Sequence, residues 1–255
     1  MQLLEVKDVG KRFGGLQAVS RVSFSVRKDT IKALIGPNGA GKTTLFNLIS
    51  GFLTPDSGTI LFHDRPVQGL RPFEIAAKGM ARTFQHIRLF PEMTSLENVM
   101  IGRHIHGKSG FLSAMLDLPR TRREDRGARE KALELMDFLG IAGLAGHEAT
   151  SLSYGQQRLV ELARGLACEP ALLLLDEPAA GLNMRETAEM ASLISRIRDR
   201  GVTILLVEHD MSLVMNISDE IIVLNYGEKI ADDVPLTIQK NEDVIRIYLG
   251  GDGDA

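Results

Sequence analysis

Residues 36–44 read Gly-Pro-Asn-Gly-Ala-Gly-Lys-Thr-Thr, which has the G-x-x-x-x-G-K-[ST] spacing of a phosphate-binding loop. Glycines let such a loop turn its backbone N–H groups toward an anion, and the lysine adds a positive charge. The hydroxyl that follows the lysine can hold Mg²⁺. The spacing therefore predicts a site for a nucleoside triphosphate and Mg²⁺. Its residues are Gly36, Pro37, Asn38, Gly39, Ala40, Gly41, Lys42, Thr43 and Thr44.

Two adjacent carboxylates, Asp176 and Glu177, follow the apolar run 171–175. Carboxylates at the end of a buried strand are costly unless a cation or a substrate engages them. In a protein with a phosphate-binding loop, the aspartate is the expected partner of Mg²⁺, and the glutamate can orient and deprotonate the attacking water. Taken alone, the pair also fits an ordinary acidic strand end, but the upstream loop favours the catalytic interpretation.

Strands and helices must hold these groups in place. Residues 31–35 are mostly apolar and short enough for a buried strand, and residues 44–50 predict a helix that ends at Gly51. The runs 171–175 and 202–207 predict further buried strands of a parallel sheet. The loop therefore has the strand–loop–helix setting that its chemistry requires.

Two capping boxes predict where later helices begin. Ser153 with Gln156 starts a helix that has one apolar face, and its simplest role is that cap. The functional alternative is that the exposed helix N-terminus binds a second anion. Asn183 with Glu186 predicts a helix over 185–200.

The flanking sequence predicts a mixed sheet. Apolar runs at 3–6 and 22–26 indicate strands, and 220–224 with 229–231 indicates a hairpin. Phe13 precedes a pair of glycines, so its ring either stacks on a base or closes a hairpin in the core.

The division of the chain follows from where the strand pattern stops. Between residues 86 and 150 the β-branched runs thin out, and 95–101 and 127–139 predict helices. We therefore expect an α/β fold. It comprises a catalytic core with an N-terminal antiparallel β subdomain (1–85 and 151–249), an inserted helical subdomain (86–150) and a disordered tail (250–255).

The composition of the 255-residue chain is that of an ordinary globular protein, with 44% hydrophobic residues, 25% charged residues and a net charge of -3. No global basic field indicates nucleic acid. Cys168 is the only cysteine, which excludes an intrachain disulfide and fits a reducing compartment. No stretch approaches the roughly 20 apolar residues of a membrane span, so we expect any membrane role to act through a partner.

The order of the motifs resembles the nucleotide-binding subunit of ABC transporters. The lysine loop is followed by Gln85, Leu152-Ser153-Tyr154-Gly155-Gln156, Leu175-Asp176-Glu177 and His209. The signature at 152–156 is decisive, because many other proteins with a phosphate-binding loop lack it. The resemblance covers nearly the whole chain and implies the ABC ATPase variant of the P-loop fold.

Segments 12–16, 82–90, 177–183 and 244–250 are similar to the high-affinity branched-chain amino-acid uptake subfamily. The insertion at 104–126 is similar to the longer of its two ATPase subunits. Urea and amide importers have very similar ATPases and remain an alternative. A soluble ABC ATPase that remodels protein or nucleic acid is another, although such relatives commonly carry two cassettes or long coiled coils, and this chain has one lysine loop and no sustained heptads.

The resemblance implies a role for each matching residue. Phe13 would stack on adenine, and Ser153, Gly155 and Gln156 would complete the ATP site of a second ATPase subunit in a head-to-tail dimer. The implied catalytic residues are Glu177 as base, His209 at the γ-phosphate, Gln85 and Lys42. The implied Mg²⁺ residues are Thr43, Gln85 and Asp176.

The resemblance also implies partners and a location. Membrane-spanning permease subunits would dock near residues 85–100, and a periplasmic or surface binding protein would act indirectly. The chain would then lie on the cytoplasmic face of the inner membrane, as a peripheral subunit. The transported substrate is not specified by any residue of such a subunit.

The chain departs from the family pattern at two positions. Tyr154 stands where the commonest signature has Gly, and we interpret it as a harmless variation on the solvent side. Asn183 stands where the general pattern has Asp, which puts in doubt the transfer of that aspartate's role between subunits. Asn183 is interpreted as a helix cap.

Overall fold

The computed structural model describes residues 1–106 and 119–249, except for the side chains of residues 106, 119–123 and 249. Residues 107–118, which form much of the 104–126 insertion, and the predicted disordered tail 250–255 lie outside the described residues. The strands are β1 (Gln2–Phe13), β2 (Leu16–Arg27), β3 (Ile31–Ile35), β4 (Ser57–Phe62), β5 (Arg65–Pro66), β6 (Met80–Arg82), β7 (Leu172–Asp176), β8 (Thr203–Val207), β9 (Glu220–Asn225) and β10 (Glu228–Asp233). The α-helices are α1 (Lys42–Ile49), α2 (Pro72–Ala77), α3 (Ser95–Ile101), α4 (Pro119–Phe138), α5 (Tyr154–Ala167), α6 (Met184–Asp199), α7 (Met211–Ile217), α8 (Pro235–Ile238) and α9 (Glu242–Leu249).

The strands form two sheets. The N-terminal sheet is antiparallel, with the order β2-β1-β4-β5, and the larger sheet has the order β10-β9-β3-β8-β7-β6. In the larger sheet β9, β3, β8, β7 and β6 are parallel neighbours, and β10 is paired antiparallel to β9. The predicted α/β fold, with a mixed sheet and an antiparallel N-terminal sheet, is confirmed.

The central strands are apolar on both faces because both faces are covered. Leu172 and Leu174 of β7 join the buried cluster that contains α1 and the antiparallel sheet. Leu173 and Leu175 point to the opposite face and join the cluster that contains residues of α3, α4, α5 and α6. The alternation follows from the two-residue repeat of a strand, and it explains why β7 reads as a continuous leucine run.

The parallel strands place their carboxyl ends along one edge of the larger sheet. The loop 36–41 follows β3, His209 lies just beyond β8, Glu177 follows β7, and Gln85 lies just beyond β6. Since β3, β8, β7 and β6 are successive neighbours, residues far apart in sequence meet at this edge. The carboxyl edge of such a sheet is the usual place for a ligand site.

Several predicted bounds differ from those observed. Helix α1 starts at Lys42 rather than at residue 44, because the loop geometry already allows helical hydrogen bonds at that point. Helix α4 starts at Pro119 rather than at residue 127, so residues 119–126, for which no helix was predicted, are helical. The hairpin of β9 and β10 and the capping boxes of α5 and α6 are confirmed. The division into subdomains stays a prediction.

Helices α3 and α4 pack against α5 on one face of the larger sheet, because buried residues of all three helices belong to one hydrophobic cluster. Phe138, at the end of α4, contacts two exposed arginines at the C-terminal end of α6: its ring centroid is 4.6 Å from the guanidinium carbon of Arg196 and 3.5 Å from that of Arg200. Among the described helices, none combines the length and the apolar character needed to cross a bilayer.

Candidate active site

The loop 36–41 is shaped by glycines in backbone conformations that other residues rarely adopt. Gly41 has φ = 98°, and a Cβ at this position would collide with the carbonyl oxygen of Ala18. Helix α1 begins at the next residue, and no side chain caps its N-terminus. The first N–H groups of a helix lack partners within the helix, and together with the helix dipole they favour an anion. The loop therefore fits a phosphate chain.

Lys42 lies beneath the loop. Its Nζ donates hydrogen bonds to the carbonyl oxygens of Gly36 at 2.6 Å and Pro37 at 2.9 Å. Burial lowers the pKa of the Lys42 ammonium, and the nearby carboxylates of Glu177 and Asp176 partly oppose that lowering. The ammonium group is therefore held close to the loop, where a phosphate would favour its charged form.

The carboxylate of Glu177, which follows β7, contacts residues that follow the two neighbouring strands, β6 and β8. Its Oε2 accepts a hydrogen bond from Nε2 of Gln85 at 2.8 Å, and its Oε1 lies 2.6 Å from Nε2 of His209. Glu177 itself has φ = 50°, a left-handed conformation that costs energy for a residue with a side chain. Strain of this kind persists where the surrounding structure holds it, and here it turns the carboxylate toward the loop cleft.

Glu208 holds the two segments that meet at Glu177. Its buried carboxylate accepts hydrogen bonds from the backbone N–H of Ala179 at 2.8 Å and from that of His209 at 2.9 Å. The segment after β7 and the segment after β8 are thereby tied together. Sequence reasoning missed this role, because a single acidic residue after a strand gives no sign of its partners.

Asp176 is buried and forms an ion pair with Arg82, with Nη2 of the arginine 2.7 Å from Oδ2 of the aspartate. The other terminal nitrogen of Arg82 donates to Asn47 at 2.7 Å and to Ser50 at 2.8 Å, both on or next to α1. Arg82 therefore ties the carboxylate to the helix that follows the phosphate loop. The role of this arginine was also missed, because nothing in its local sequence shows that its strand lies beside β7.

The expected Mg²⁺ fits this site only as a partner of phosphate. Among residues 1–106 and 119–249, no group of three acidic, histidine or cysteine side chains is placed to hold a metal ion. Mg²⁺ is commonly bound by few protein ligands together with substrate phosphates. The predicted Mg²⁺ residues are Thr43 and Gln85, which line the cleft beside the loop, and Asp176 at the strand end, and their role stays a proposal.

A cleft of about 690 Å³ brings most of the predicted residues together. It is lined by Phe13, Asn38, Gly39, Ala40, Gly41, Lys42, Thr43, Thr44, Gln85, Glu177 and His209, and also by Leu16, Gln17, Ala18 and Tyr226. Gly36, Pro37 and Asp176 do not line it. Phe13 is half-exposed at the end of β1, so it is not a core residue. Tyr226 was missed because it reaches the cleft through a turn whose Gly227 N–H donates to Ala40 of the loop at 3.0 Å.

Ser153, Gly155 and Gln156 lie at the start of α5, away from this cleft. The backbone N–H of Ser153 donates to Oε1 of Gln156 at 3.0 Å, and the Ser153 hydroxyl accepts from the Gln156 N–H at 3.4 Å. Ser153 is exposed. The structure therefore separates these residues from Lys42 within one chain and leaves Ser153 accessible to another molecule.

The sequence model of the ABC transporter family matches residues 19–180. The chain belongs to the ABC transporter family. The matched range includes the lysine loop, Gln85, the Ser153 capping box and Glu177, while His209 lies beyond it.

Relatives within the ABC transporter family cover nearly the entire chain. The high-affinity branched-chain amino acid transport ATP-binding protein BraF of Pseudomonas aeruginosa is 46% identical over 97% of this chain and 98% of its own length. The corresponding protein LivG of Salmonella typhimurium is 48% identical over the same shares of the two chains. Among solved structures, the ADP conformation of MJ1267, an ATP-binding cassette of an ABC transporter, superposes with a TM-score of 0.85 at 33% identity, covering 98% of this chain and 99% of that one.

Proposed function

We propose that this chain is the ATP-binding and ATP-hydrolysing subunit that powers an ABC importer for branched-chain amino acids. The observation that carries the proposal is the placement of Glu177 between Gln85 and His209 at the edge of the cleft formed by the lysine loop. LivG and BraF, which are branched-chain amino acid transport ATP-binding proteins and match nearly the full chain, support the choice of transported substrate.

Different residues at the cleft bind the phosphates, contact the base and activate the attacking water. Lys42 and the first N–H groups of α1 bind the phosphate chain, and Phe13 at the rim offers a ring for the base. Bound Mg²⁺ would neutralise charge on the phosphates, held by Thr43, Gln85 and Asp176. Glu177 orients a water molecule and takes its proton as the water oxygen attacks the terminal phosphorus and the bond to the leaving diphosphate breaks.

A second ATPase subunit, identical or different, completes the site. The exposed N-terminus of α5, with Ser153, Gly155 and Gln156, is suited to an anion on another molecule and is separate from the lysine loop of its own chain. A head-to-tail dimer would bring each such N-terminus to the other subunit's cleft. Closure of the dimer with ATP and opening after hydrolysis would then supply the motion that drives transport.

The remaining partners are membrane proteins. Residues 85–100 carry exposed apolar side chains, among them Phe90 and Met93, which suit a contact with permease subunits at the cytoplasmic face of the membrane. A separate substrate-binding protein on the other side of the membrane would select the amino acid.

The proposal is tested by reconstitution. The chain is assembled in proteoliposomes with the membrane and binding proteins encoded beside it, and uptake of labelled leucine and labelled urea is measured with ATP inside. We expect ATP-dependent uptake of leucine and not of urea. Urea uptake alone would contradict the branched-chain assignment, and ATP hydrolysis that is indifferent to the membrane proteins would favour a soluble ABC ATPase.

A further inference from the structure

Tyr154 is the first residue of α5, at the position that distinguishes this signature from the commonest form. It is 46% exposed, yet its side chain is engaged on two sides. Its hydroxyl accepts a hydrogen bond from Nη2 of Arg158 at 3.0 Å. Its ring lies so close to Gly181 that a Cβ there would come within 3.1 Å of ring carbon Cε1. The interpretation of Tyr154 as a harmless solvent-side variation is therefore incomplete.

Arg158 lies one helical turn after Tyr154 and is only 2% exposed. Its Nη1 donates to the carbonyl oxygen of Phe84 at 2.7 Å, and its Nη2 donates to the carbonyl oxygen of Gln85 at 2.8 Å. The planar guanidinium thus donates hydrogen bonds to two consecutive backbone carbonyls of the loop that carries Gln85. A fork of this kind fixes orientation as well as distance, which a single ammonium group does not.

Glu161 contacts both Arg158 and the later part of the loop that carries Gln85. Its Oε2 lies 3.2 Å from Nη1 of Arg158, and its Oε1 accepts a hydrogen bond from the backbone N–H of Arg88 at 3.4 Å. Both charged side chains are buried, so each depends on the other. Residues 84–88 are therefore attached to α5 by Arg158 and by Glu161.

We propose that Arg158, supported by Tyr154 and Glu161, is a positioning residue that sets the side chain of Gln85 against Glu177 from the start of α5. The link runs from Tyr154 through Arg158 to Gln85, whose Nε2 lies 2.8 Å from Glu177. This inference rests on the proposed function, in which a second subunit closes on Ser153. Closure on that helix N-terminus would then be transmitted within the same chain to the residue beside its own catalytic base.

The test is a double-mutant cycle on kcat with the full-length chain and Mg-ATP. Arg158→Lys keeps the charge beside Glu161 but removes the fork, and Gln85→Ala removes the side chain through which Arg158 is proposed to act. Arg164→Lys is the matched control. It is the same substitution on the same helix beside the same acid, since Nη2 of Arg164 lies 3.9 Å from Oε1 of Glu161, and the hydrogen bonds to the carbonyls of Phe84 and Gln85 come from Arg158 instead.

We expect Arg158→Lys to lower kcat by about tenfold, which corresponds to the loss of one charge-assisted hydrogen bond that holds the Gln85 segment. The affinity of the single chain for ATP should change by less than about twofold, because Arg158 does not line the cleft. The variant carrying both Arg158→Lys and Gln85→Ala should be no slower than Gln85→Ala alone. The effect of Arg164→Lys on kcat should be small and should multiply with that of Gln85→Ala.

Multiplied effects of Arg158→Lys and Gln85→Ala would overturn the link, since they would show that Arg158 acts independently of Gln85. An unchanged kcat in Arg158→Lys would overturn it as well. If the natural chain with its membrane partners hydrolyses no ATP, the proposed function fails. If the natural chain hydrolyses ATP but the effects of the two substitutions on kcat multiply, only the link between Arg158 and Gln85 fails.

Tyr154→Phe tests the same link without disturbing the buried charges, should Arg158→Lys lower the Tm. It removes only the hydroxyl that meets Arg158 and leaves the ring against Gly181. We expect a loss in kcat of about two- to fivefold, smaller than for Arg158→Lys because the hydrogen bonds of Arg158 to residues 84 and 85 remain, and it should disappear in the Gln85→Ala background. A loss that persists there would count against the link.

Discussion

Nε2 of His209 lies 2.6 Å from Oε1 of Glu177, and Gln85 occupies the other oxygen of the same carboxylate. An ionised carboxylate offers about four lone-pair positions, so these contacts leave room for a water molecule. His209 and Gln85 therefore fix the direction of the remaining lone pairs. The orientation of the proposed base is set by residues that follow two other strands of the sheet.

Replacement of His209 by Ala should lower kcat by about 10- to 100-fold, because Glu177 would lose the partner that orients it. The KM for ATP should change little, since the residues proposed to bind the nucleotide lie at the loop and rim of the cleft. Steady-state hydrolysis with the membrane partner present measures both constants. A larger effect on KM than on kcat would place His209 in ground-state binding rather than in orientation of the base.

Lys42→Ala should weaken ATP binding and lower kcat by about 10² to 10³, as for other charged contacts at reacting groups. Isothermal titration calorimetry with ATP measures the affinity, and a steady-state hydrolysis assay measures kcat. Lys28→Ala is a suitable control, because Lys28 is an exposed lysine outside the cleft. Equal affinity in Lys42→Ala and the natural chain would argue against the loop as the phosphate site.

The lowered pKa of Lys42 predicts a pH effect on binding. In the free chain, burial moves the pKa below its ordinary value of 10.5, so Lys42 begins to lose its proton at a lower pH than an exposed lysine. Phosphate favours the charged form and raises the pKa again. Binding of ATP should therefore take up protons at alkaline pH, and the affinity should fall as the pH rises through the lowered pKa.

Calorimetry of ATP binding in two buffers of different ionisation enthalpy measures this uptake. The proton uptake should be absent in Lys42→Met, which has no titrating group at that position. Uptake of equal size in Lys42→Met would assign the protons to another residue.

Arg82→Met should destabilise the fold by about 3 to 5 kcal/mol, because it leaves the buried carboxylate of Asp176 without its cation. The side chains of Arg82 and Asp176 are 8% and 6% exposed. Urea unfolding monitored by circular dichroism gives the free energy of unfolding. Arg185→Met breaks the ion pair with Glu189, whose side chains are 89% and 59% exposed, and should cost less than about 1 kcal/mol. Similar losses in the two variants would show that burial does not control the strength of the Arg82 pair.

The parts of the site that the residue pattern alone predicted are those fixed by local spacing, whereas Gln85 and His209 were predicted from the resemblance to ABC ATPases. The lysine loop, the Ser153–Gln156 and Asn183–Glu186 boxes and the Asp176–Glu177 pair each depend on residues within one turn or one loop. Their positions could therefore be inferred without knowing which strands are neighbours.

The parts that were missed depend on contacts distant in sequence. Arg82 meets Asp176 only because β6 lies beside β7, and Arg158 meets residues 84 and 85 only because α5 packs beneath that loop. Tyr226 reaches the cleft because the turn after β9 is bonded to the lysine loop. In each case a charged or aromatic residue has an ordinary local context, and only the folded topology shows what it contacts.

The most direct test of the account is hydrolysis by Glu177→Gln. The amide keeps the size of the side chain but accepts a proton poorly, so we expect ATP to bind with nearly natural affinity while turnover falls by about 10² to 10⁴. The variant should also form a stable dimer when ATP is added, detected by size-exclusion chromatography. Turnover at the natural rate, measured with the membrane partner present, would contradict the assignment of Glu177 as the base.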